Sequence, residues 1–576
     1  MAKYQSQTPG QFKYALLTLV VCLICYRTSA TTPNELACSY VKYAYSEKGF
    51  SDDDVPGEAI PGDHLRICDR SYTCCTEEME HKLSTHSRVE FDKLLKDGIG
   101  SLKNKFASKT SKFDKFFQEM LDKSQKEFHE MFLRTYGMLY DRNSYIFKSM
   151  FQDLRSYYNS GGIDLSKALG AFFDTLYRKM FEVLNNQYTF SDSYLACISD
   201  HMEELKPFGD VPRKLTLELK RSFIATRTFV QALAVGRDVV REIMEVGPSP
   251  ECSRALMKMS YCPHCKGLPD LKPCANYCLN VMKGCLAHHA ELDPEWNAYI
   301  ESLLMLASRL ESSFNIEAVV DPIEIRISEA VMNFQENGPA VSKRLFEKCG
   351  KPRLGKREAR KELEFKTYTF GSRHNFHRAT KSGLDRLVDK IKKKIRRTKD
   401  FWSNLPNELC SNPKVTGDRN TRSNQEGCWN GLTKAKYDAS LVGNGLVNQK
   451  DNPEVSLDVT TQNSVIARLK LTLQLITSKL NNAYRGVDVE WEDTSETEWA
   501  ASGSGSGSGW MPEDTEDDSS PDIYFSYSTT RAPAAPRWPV ESTEQPSEKP
   551  SAAPEMLSSN LLVILLAMLM SSVIYL

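Results

Sequence analysis

No proline interrupts residues 62–206, and through much of that stretch apolar side chains return at every third or fourth position. Proline removes a helical hydrogen bond and clashes with the preceding turn, so its absence over so long a run permits long helices. One series reads Phe91, Leu95, Ile99, Leu102, Phe106, Phe113, Phe117, Met120 and Leu121, and continues through Phe128, Met131, Phe132, Tyr136 and Leu139. Steps of three and four place such residues on one helix face, to be buried against a core. Pro207 and Pro212 bracket a turn at Phe208-Gly209-Asp210. Further helical patterns run from about Arg213 to Val246, from Leu303 to Leu310 and from Val465 to Leu480, while strand-like alternation is sparse. The expected fold class is all-α.

The two ends predict a compartment. Lys3 and Lys13, an apolar run from Ala15 to Cys25 and then Thr28-Ser29-Ala30 form the three regions of a secretory signal peptide over residues 1–30. The apolar run is too short to span a bilayer, which argues against a signal anchor. The last residues, Leu561 to Leu576, carry no charge. Upstream, the small triplet Ser551-Ala552-Ala553 and a polar spacer precede them, the pattern of a glycosylphosphatidylinositol (GPI) signal. Anchor attachment is expected at Ser551, with residues 552–576 removed; a tail-anchored helix is the alternative. Sixteen cysteines are present, and Cys22 and Cys25 leave with the signal. The remaining even number in an oxidising compartment implies disulfides throughout.

Cys262-Pro263-His264-Cys265 has the form of a thiol oxidoreductase motif, but that chemistry needs a strand before it and a helix after it. The preceding residues, Cys252 to Met259, read as helix. Zinc held by Cys262, Cys265, Cys274 and Cys278 has acceptable spacing; disulfides are the default in this compartment. His288-His289 reads as a surface pair. Neither a G-x-S-x-G elbow, a Walker loop nor an H-E-x-x-H motif occurs. No enzyme activity, cofactor or metal is therefore expected.

Lys and Arg total 74 against 75 Asp and Glu, which excludes a coat for nucleic acid, and a mean hydropathy of −0.44 excludes a polytopic membrane protein. Charge is nevertheless uneven. Lys343 to Lys399 holds 21 basic residues against six acidic ones. Its first half reads as an exposed loop, where Arg357-Glu358-Ala359-Arg360 is a candidate convertase site cut after Arg360. Its second half, Leu384 to Trp402, reads as a helix with Leu384, Leu387, Val388, Ile391, Ile395 and Trp402 on one face. The basic residues opposite are either a solvated helix face or a patch for a polyanionic sugar chain.

Asp488 to Asp522 contains 12 acidic residues and no Lys or Arg, and Pro512 to Pro554 contains eight prolines. Such a composition cannot bury enough apolar surface to fold and reads as a disordered stalk. Within it, Ser502, Ser504, Ser506 and Ser508 each precede a glycine, between acidic clusters and two tryptophans, Trp499 and Trp510. Glycine frees the chain to lie extended beside each hydroxyl. This is the logic of glycosaminoglycan attachment, against the plainer reading of a flexible linker. Ser160-Gly161 and Ser382-Gly383 lack acidic flanks and read as turns.

Taken together, the chain resembles the glypicans. The local motifs that carry the resemblance are His64-Leu65-Arg66-Ile67-Cys68 with Tyr72-Thr73-Cys74-Cys75, Pro207-Phe208-Gly209-Asp210-Val211-Pro212, and Tyr261-Cys262-Pro263-His264-Cys265 with Cys274, Cys278 and Cys285. Cys428-Trp429-Asn430-Gly431, Gly443-Asn444-Gly445-Leu446 and Asn452-Pro453-Glu454-Val455 extend it. It covers the chain from about Cys38 to the tail and is closest to the branch of glypicans one, two, four and six. The resemblance implies an elongated, disulfide-bridged helical core over residues 31–485 and a glycanated stalk over 486–551. It also implies the pairing Cys38–Cys74, Cys68–Cys262, Cys75–Cys265, Cys197–Cys349, Cys252–Cys285, Cys274–Cys428 and Cys278–Cys410, which separates Cys262 from Cys265 and removes the redox reading. The function it implies is that of a GPI-anchored heparan sulfate proteoglycan on the extracellular side of the plasma membrane. Such a molecule is a co-receptor for Wnt, fibroblast growth factor, Hedgehog and bone morphogenetic protein ligands. A module whose protein core engages a ligand or receptor directly is the alternative.

Overall fold

The computed structural model describes residues 38–355, 382–416 and 427–489. All belong to the first of two compact units, Met1–Glu496; the second, Thr497–Leu576, lies outside them. Helices of eight or more residues are α1 Ser39–Ser46, α2 Glu77–Tyr136, α3 Met138–Asn159, α4 Leu165–Leu184, α5 Asp192–Asp200, α6 Val211–Ile243, α7 Pro250–Ser260, α8 Ala275–Cys285, α9 Asp293–Leu310, α10 Ile323–Lys348, α11 Gly383–Arg396, α12 Phe401–Cys410 and α13 Ser464–Tyr484. The sole paired strands among the described residues are β1 Tyr188–Thr189 and β2 Arg353–Leu354, antiparallel and two residues each. The all-α class holds.

The proline-free stretch forms α2, sixty residues long and about 90 Å at 1.5 Å per residue. Thr76 caps its start by accepting from Met79 N, and Glu77, Glu78 and Glu80 in the first turn oppose the helix dipole. Gly137 ends it at φ 53°, a conformation that favours glycine. The predicted series from Phe91 to Leu121, with Phe128 and Phe132, is buried, and Met131 and Tyr136 pack at its margin.

Helix α6 lies along α2 and is buried on every side from Ser222 to Val230. Gly236 makes this packing possible: a Cβ there would stand 2.4 Å from Tyr299 Oη and 2.8 Å from Phe106 Cε1. Tyr299 Oη in turn donates to Ala232 O at 2.9 Å. Arg227, also inside, sends Nε to Tyr158 O at 3.2 Å and Nη2 to Ser160 O at 2.8 Å. It thereby supplies donors to carbonyls at the C-terminal end of α3, where a cation is favoured.

Three readings are corrected. Leu384 to Trp402 is two helices, because Asp400 adopts a left-handed backbone at φ 55° and the junction is drawn onto α9. There Trp296 Nε1 donates to Thr398 O at 2.7 Å and Asp400 N donates to Asn297 Oδ1 at 2.9 Å. Ser382-Gly383 is not a turn but the start of α11, with Ser382 and Asp385 forming a reciprocal capping box. His289 is not at the surface: it is 3% exposed, and burial followed by the neighbouring His288 lowers its pKa to about 4.

Candidate ligand-binding cavity

Six of the seven bridges gather around the start of α2, α7 and α8. Cys68–Cys262 and Cys75–Cys265 tie the approach to α2 to the short helix Cys262–Cys265, and Cys38–Cys74 adds α1. Cys252–Cys285 joins α7 to α8, Cys274–Cys428 and Cys278–Cys410 hold the later chain against α8, and Cys197–Cys349 links α5 to the end of α10. Cys262 and Cys265 thus have different partners. His264 between them is buried, and burial, then Lys48 and Lys272, lowers its pKa to about 3. Neutral and enclosed, it does not resemble an exposed redox site. The four sulfurs proposed above for zinc are each committed to a separate bridge. Cys197, His201 and Cys349 do converge, but two of those sulfurs are bonded to each other.

At the far end of α2 lies an apolar cavity of about 390 Å³, between the last turns of α2, the first half of α3, the last turns of α4 and the middle of α10. Gly137 turns the chain there, and Phe132, Leu139, Ile146, Phe147, Leu176 and Val331 form much of the wall. Phe128 and Phe132 stack at 4.2 Å, and Phe147 meets Phe132 at 5.2 Å and Phe172 at 5.7 Å, which makes the wall rigid. The two tyrosines of the lining have hydroxyl partners: Tyr136 Oη pairs with Ser328 Oγ at 2.9 Å and Tyr140 Oη with His129 Nδ1 at 3.0 Å. Burial, then Asp141, raises the Tyr140 pKa to about 12. Lys179 pairs with Glu182 at 2.8 Å. Gln335 Nε2, buried and without a partner among the described residues, is left as a polar donor in the lining.

Sequence reasoning saw several of these residues as core but not the space between them. Helix α10 packs closely against α4 beside the cavity. Gly338 admits Leu184, whose Cδ2 would lie 2.5 Å from a Cβ, and Pro339 lies inside the helix. A proline there lacks the N–H that would bond the carbonyl of residue 335, so α10 makes one intrahelical hydrogen bond fewer beside the cavity, yet it runs unbroken to Lys348. A volume in the range of ordinary ligand sites, with one unpaired donor, suits a slender apolar group such as an acyl chain. Ser502, Ser504, Ser506, Ser508, Ser551 and Arg360 all lie outside the described residues.

Comparison with known proteins agrees with this architecture. A family model described as Glypican matches residues 18–574. The chain is 40% identical over 490 residues to glypican-1 of Xenopus tropicalis, covering 85% of this chain and 87% of that one. It is 34% identical over 481 residues to human glypican-2, covering 82% of each. A crystal structure of C-terminally truncated glypican-1 matches with a TM-score of 0.70 at 36% identity, covering 79% of this chain and all of that one. Dally-like protein in complex with O-palmitoleoyl serine matches with a TM-score of 0.60 at 38% identity, covering 78% and 99%. With the helical core, the bridges and the sequence motifs, these matches place the chain in the glypican family.

Proposed function

We propose that this chain is the core protein of a heparan sulfate proteoglycan, held at the cell surface by a GPI anchor on Ser551 and bearing its chains on Ser502, Ser504, Ser506 and Ser508. The observation that carries the reading is the tandem Ser-Gly run, set in an acidic tract of a chain that belongs to the glypican family. The task is capture rather than catalysis. Sulfated chains bind basic growth factors and morphogens of the Wnt, fibroblast growth factor, Hedgehog and bone morphogenetic protein classes through charge-assisted contacts. Retention at the membrane raises their concentration near receptors. The division proposed is a signal over 1–30, a core over 31–485, a stalk over 486–551 and a removed tail over 552–576. Among the described residues no helix is long and apolar enough to cross a membrane.

The test is electrophoresis with and without heparan lyase. A broad smear that collapses on digestion, and is absent when the four serines are replaced by Ala, supports the reading. A sharp band in every lane refutes it. Release by a phosphatidylinositol-specific phospholipase tests the anchor, and retention with an intact C-terminus refutes that part.

The cavity favours a second reading, in which the core also receives the acyl chain of a lipid-modified protein ligand. The Dally-like complex with O-palmitoleoyl serine supports this for a relative. The chain with all four serines replaced is the appropriate material: retained binding of O-palmitoleoyl serine assigns the lipid to the core, and loss of binding refutes a core site.

A further inference from the structure

Away from the cavity, α2 and α11 form a groove of about 660 Å³, lined by Lys96, Lys105, Lys109 and Lys394. Its floor consists of Gly100, Ser101, Asn104 and Ser108, with Asp97 as the acidic member. These floor residues recur along one face of α2, and nothing lies within 4 Å of a Cβ added at Gly100. The groove exists because α2 carries small polar residues where larger ones would fill it.

The four lysines outnumber the single carboxylate of the lining. Along α11 and just beyond it, three other lysines have carboxylate partners: Lys392 with Glu311 at 2.6 Å, Lys393 with Asp389 at 2.9 Å and Lys399 with Glu301 at 2.5 Å. Among the described residues Lys96, Lys105, Lys109 and Lys394 have none. Burial, then the neighbouring ammonium groups of Lys112 and Lys394, lowers the Lys109 pKa. From Lys96 to Lys109 the helix rises roughly 20 Å, so the charges form a row rather than a point.

We propose that this groove is a binding site for a sulfated glycosaminoglycan segment of the heparin type. The row of ammonium groups meets successive sulfates, and the Ser101, Asn104 and Ser108 side chains offer hydrogen bonds to sugar hydroxyls between them. Other polyanions fit less well. The lining holds no aromatic ring on which a base could stack, as single-stranded nucleic acid requires. It holds no apolar side chain to enter a lipid surface. The site belongs to the folded core and does not depend on whether this chain carries sugar of its own.

The experiment uses the full chain with Ser502, Ser504, Ser506 and Ser508 replaced by Ala, so that no attached chain competes. Binding of a heparin hexasaccharide is measured by calorimetry across a salt series. Saturable binding is expected, with a log–log salt slope that flattens by roughly 2–3 in the variant Lys105→Gln/Lys109→Gln/Lys394→Gln, by analogy with counterion release from other polyanions. That variant should bind at least about tenfold more weakly at physiological salt. Ser108→Trp, which keeps every charge but fills the groove, should also lose binding, while Lys393→Gln should not. Thermal unfolding of each variant separates loss of the site from loss of the fold. An unsulfated hexasaccharide of the same backbone, phosphatidylserine vesicles and oligothymidine serve as competing probes. The proposal is overturned if heparin fails to bind, if the triple variant binds as the parent does, or if the vesicles or the oligothymidine bind the groove more tightly than heparin.

Discussion

Replacing Arg227 by Met is expected to loosen the end of α3 selectively. Arg227 is 5% exposed, and its guanidinium serves the carbonyls of Tyr158 and Ser160. Methionine retains much of the buried stem but donates nothing. A buried carbonyl left unsatisfied costs about 1–3 kcal/mol. Tyr158 is buried and bears that cost, whereas Ser160 is exposed and water replaces its donor. Contact with the Tyr157 ring, 6.0 Å from the guanidinium carbon, adds about 0.5–1 kcal/mol. Against this, removing a desolvated charge returns part of the cost of burying it. The net expectation is a loss of about 2 kcal/mol, or roughly 30-fold in local opening. Native-state amide exchange of the oxidised protein measures it: amides of residues 157–161 should exchange roughly 30-fold faster while those of α6 keep their protection. Exchange at the parent rate, or slower, would mean that relief of desolvation outweighs the lost hydrogen bonds, and the capping argument would fail.

Val183→Trp, in the cavity wall, should abolish uptake of a fluorescent fatty acid while leaving circular dichroism unchanged; undiminished uptake would place the acyl site elsewhere. His289 is refused a proton in the folded state, with a pKa lowered to about 4, but accepts one near 6.5 when unfolded. The unfolded chain therefore binds more protons between these values, so stability should be full above about pH 6.5 and fall as pH drops toward 4, by on the order of 3 kcal/mol. His289→Phe should flatten that part of the pH–Tm profile, and an unchanged slope would reject the assignment. Cutting after Arg360 with a proprotein convertase should leave one band on a non-reducing gel and two after reduction; separation without reductant would contradict the bridge pattern.

The helices were legible where a single face kept its period. Phe91 through Phe132 marked α2 because burial of one stripe and the absence of proline act together over many turns. Two other helices were hidden by prolines that tertiary packing tolerates, Pro339 in α10 and Pro406 in α12. The break at Asp400 was hidden because hydrogen bonds from α9, about a hundred residues earlier, decide it. His289 read as polar surface because a histidine's burial depends on neighbours that periodicity does not name. The cavity and the basic groove have the same cause of invisibility. Each is made by side chains from helices distant in sequence, and a space between elements leaves no local pattern.

The seven bridges can also be viewed as edges added to a line. The spans 38–74, 68–262, 197–349 and 274–428 overlap in succession, so together they cover every peptide bond from Cys38 to Cys428 without a gap. A protease that cuts once anywhere in that interval opens a loop but divides nothing. Only a cut outside it severs a fragment, and α13, which follows Cys428, is held to α6 and α9 by packing, by the Arg468–Glu242 ion pair and by the Gln474–Glu295 hydrogen bond, with no covalent bridge. Nicking within the interval is therefore covalently silent. A single proteolytic event that frees the bridged core from whatever holds the C-terminus has to fall after Cys428.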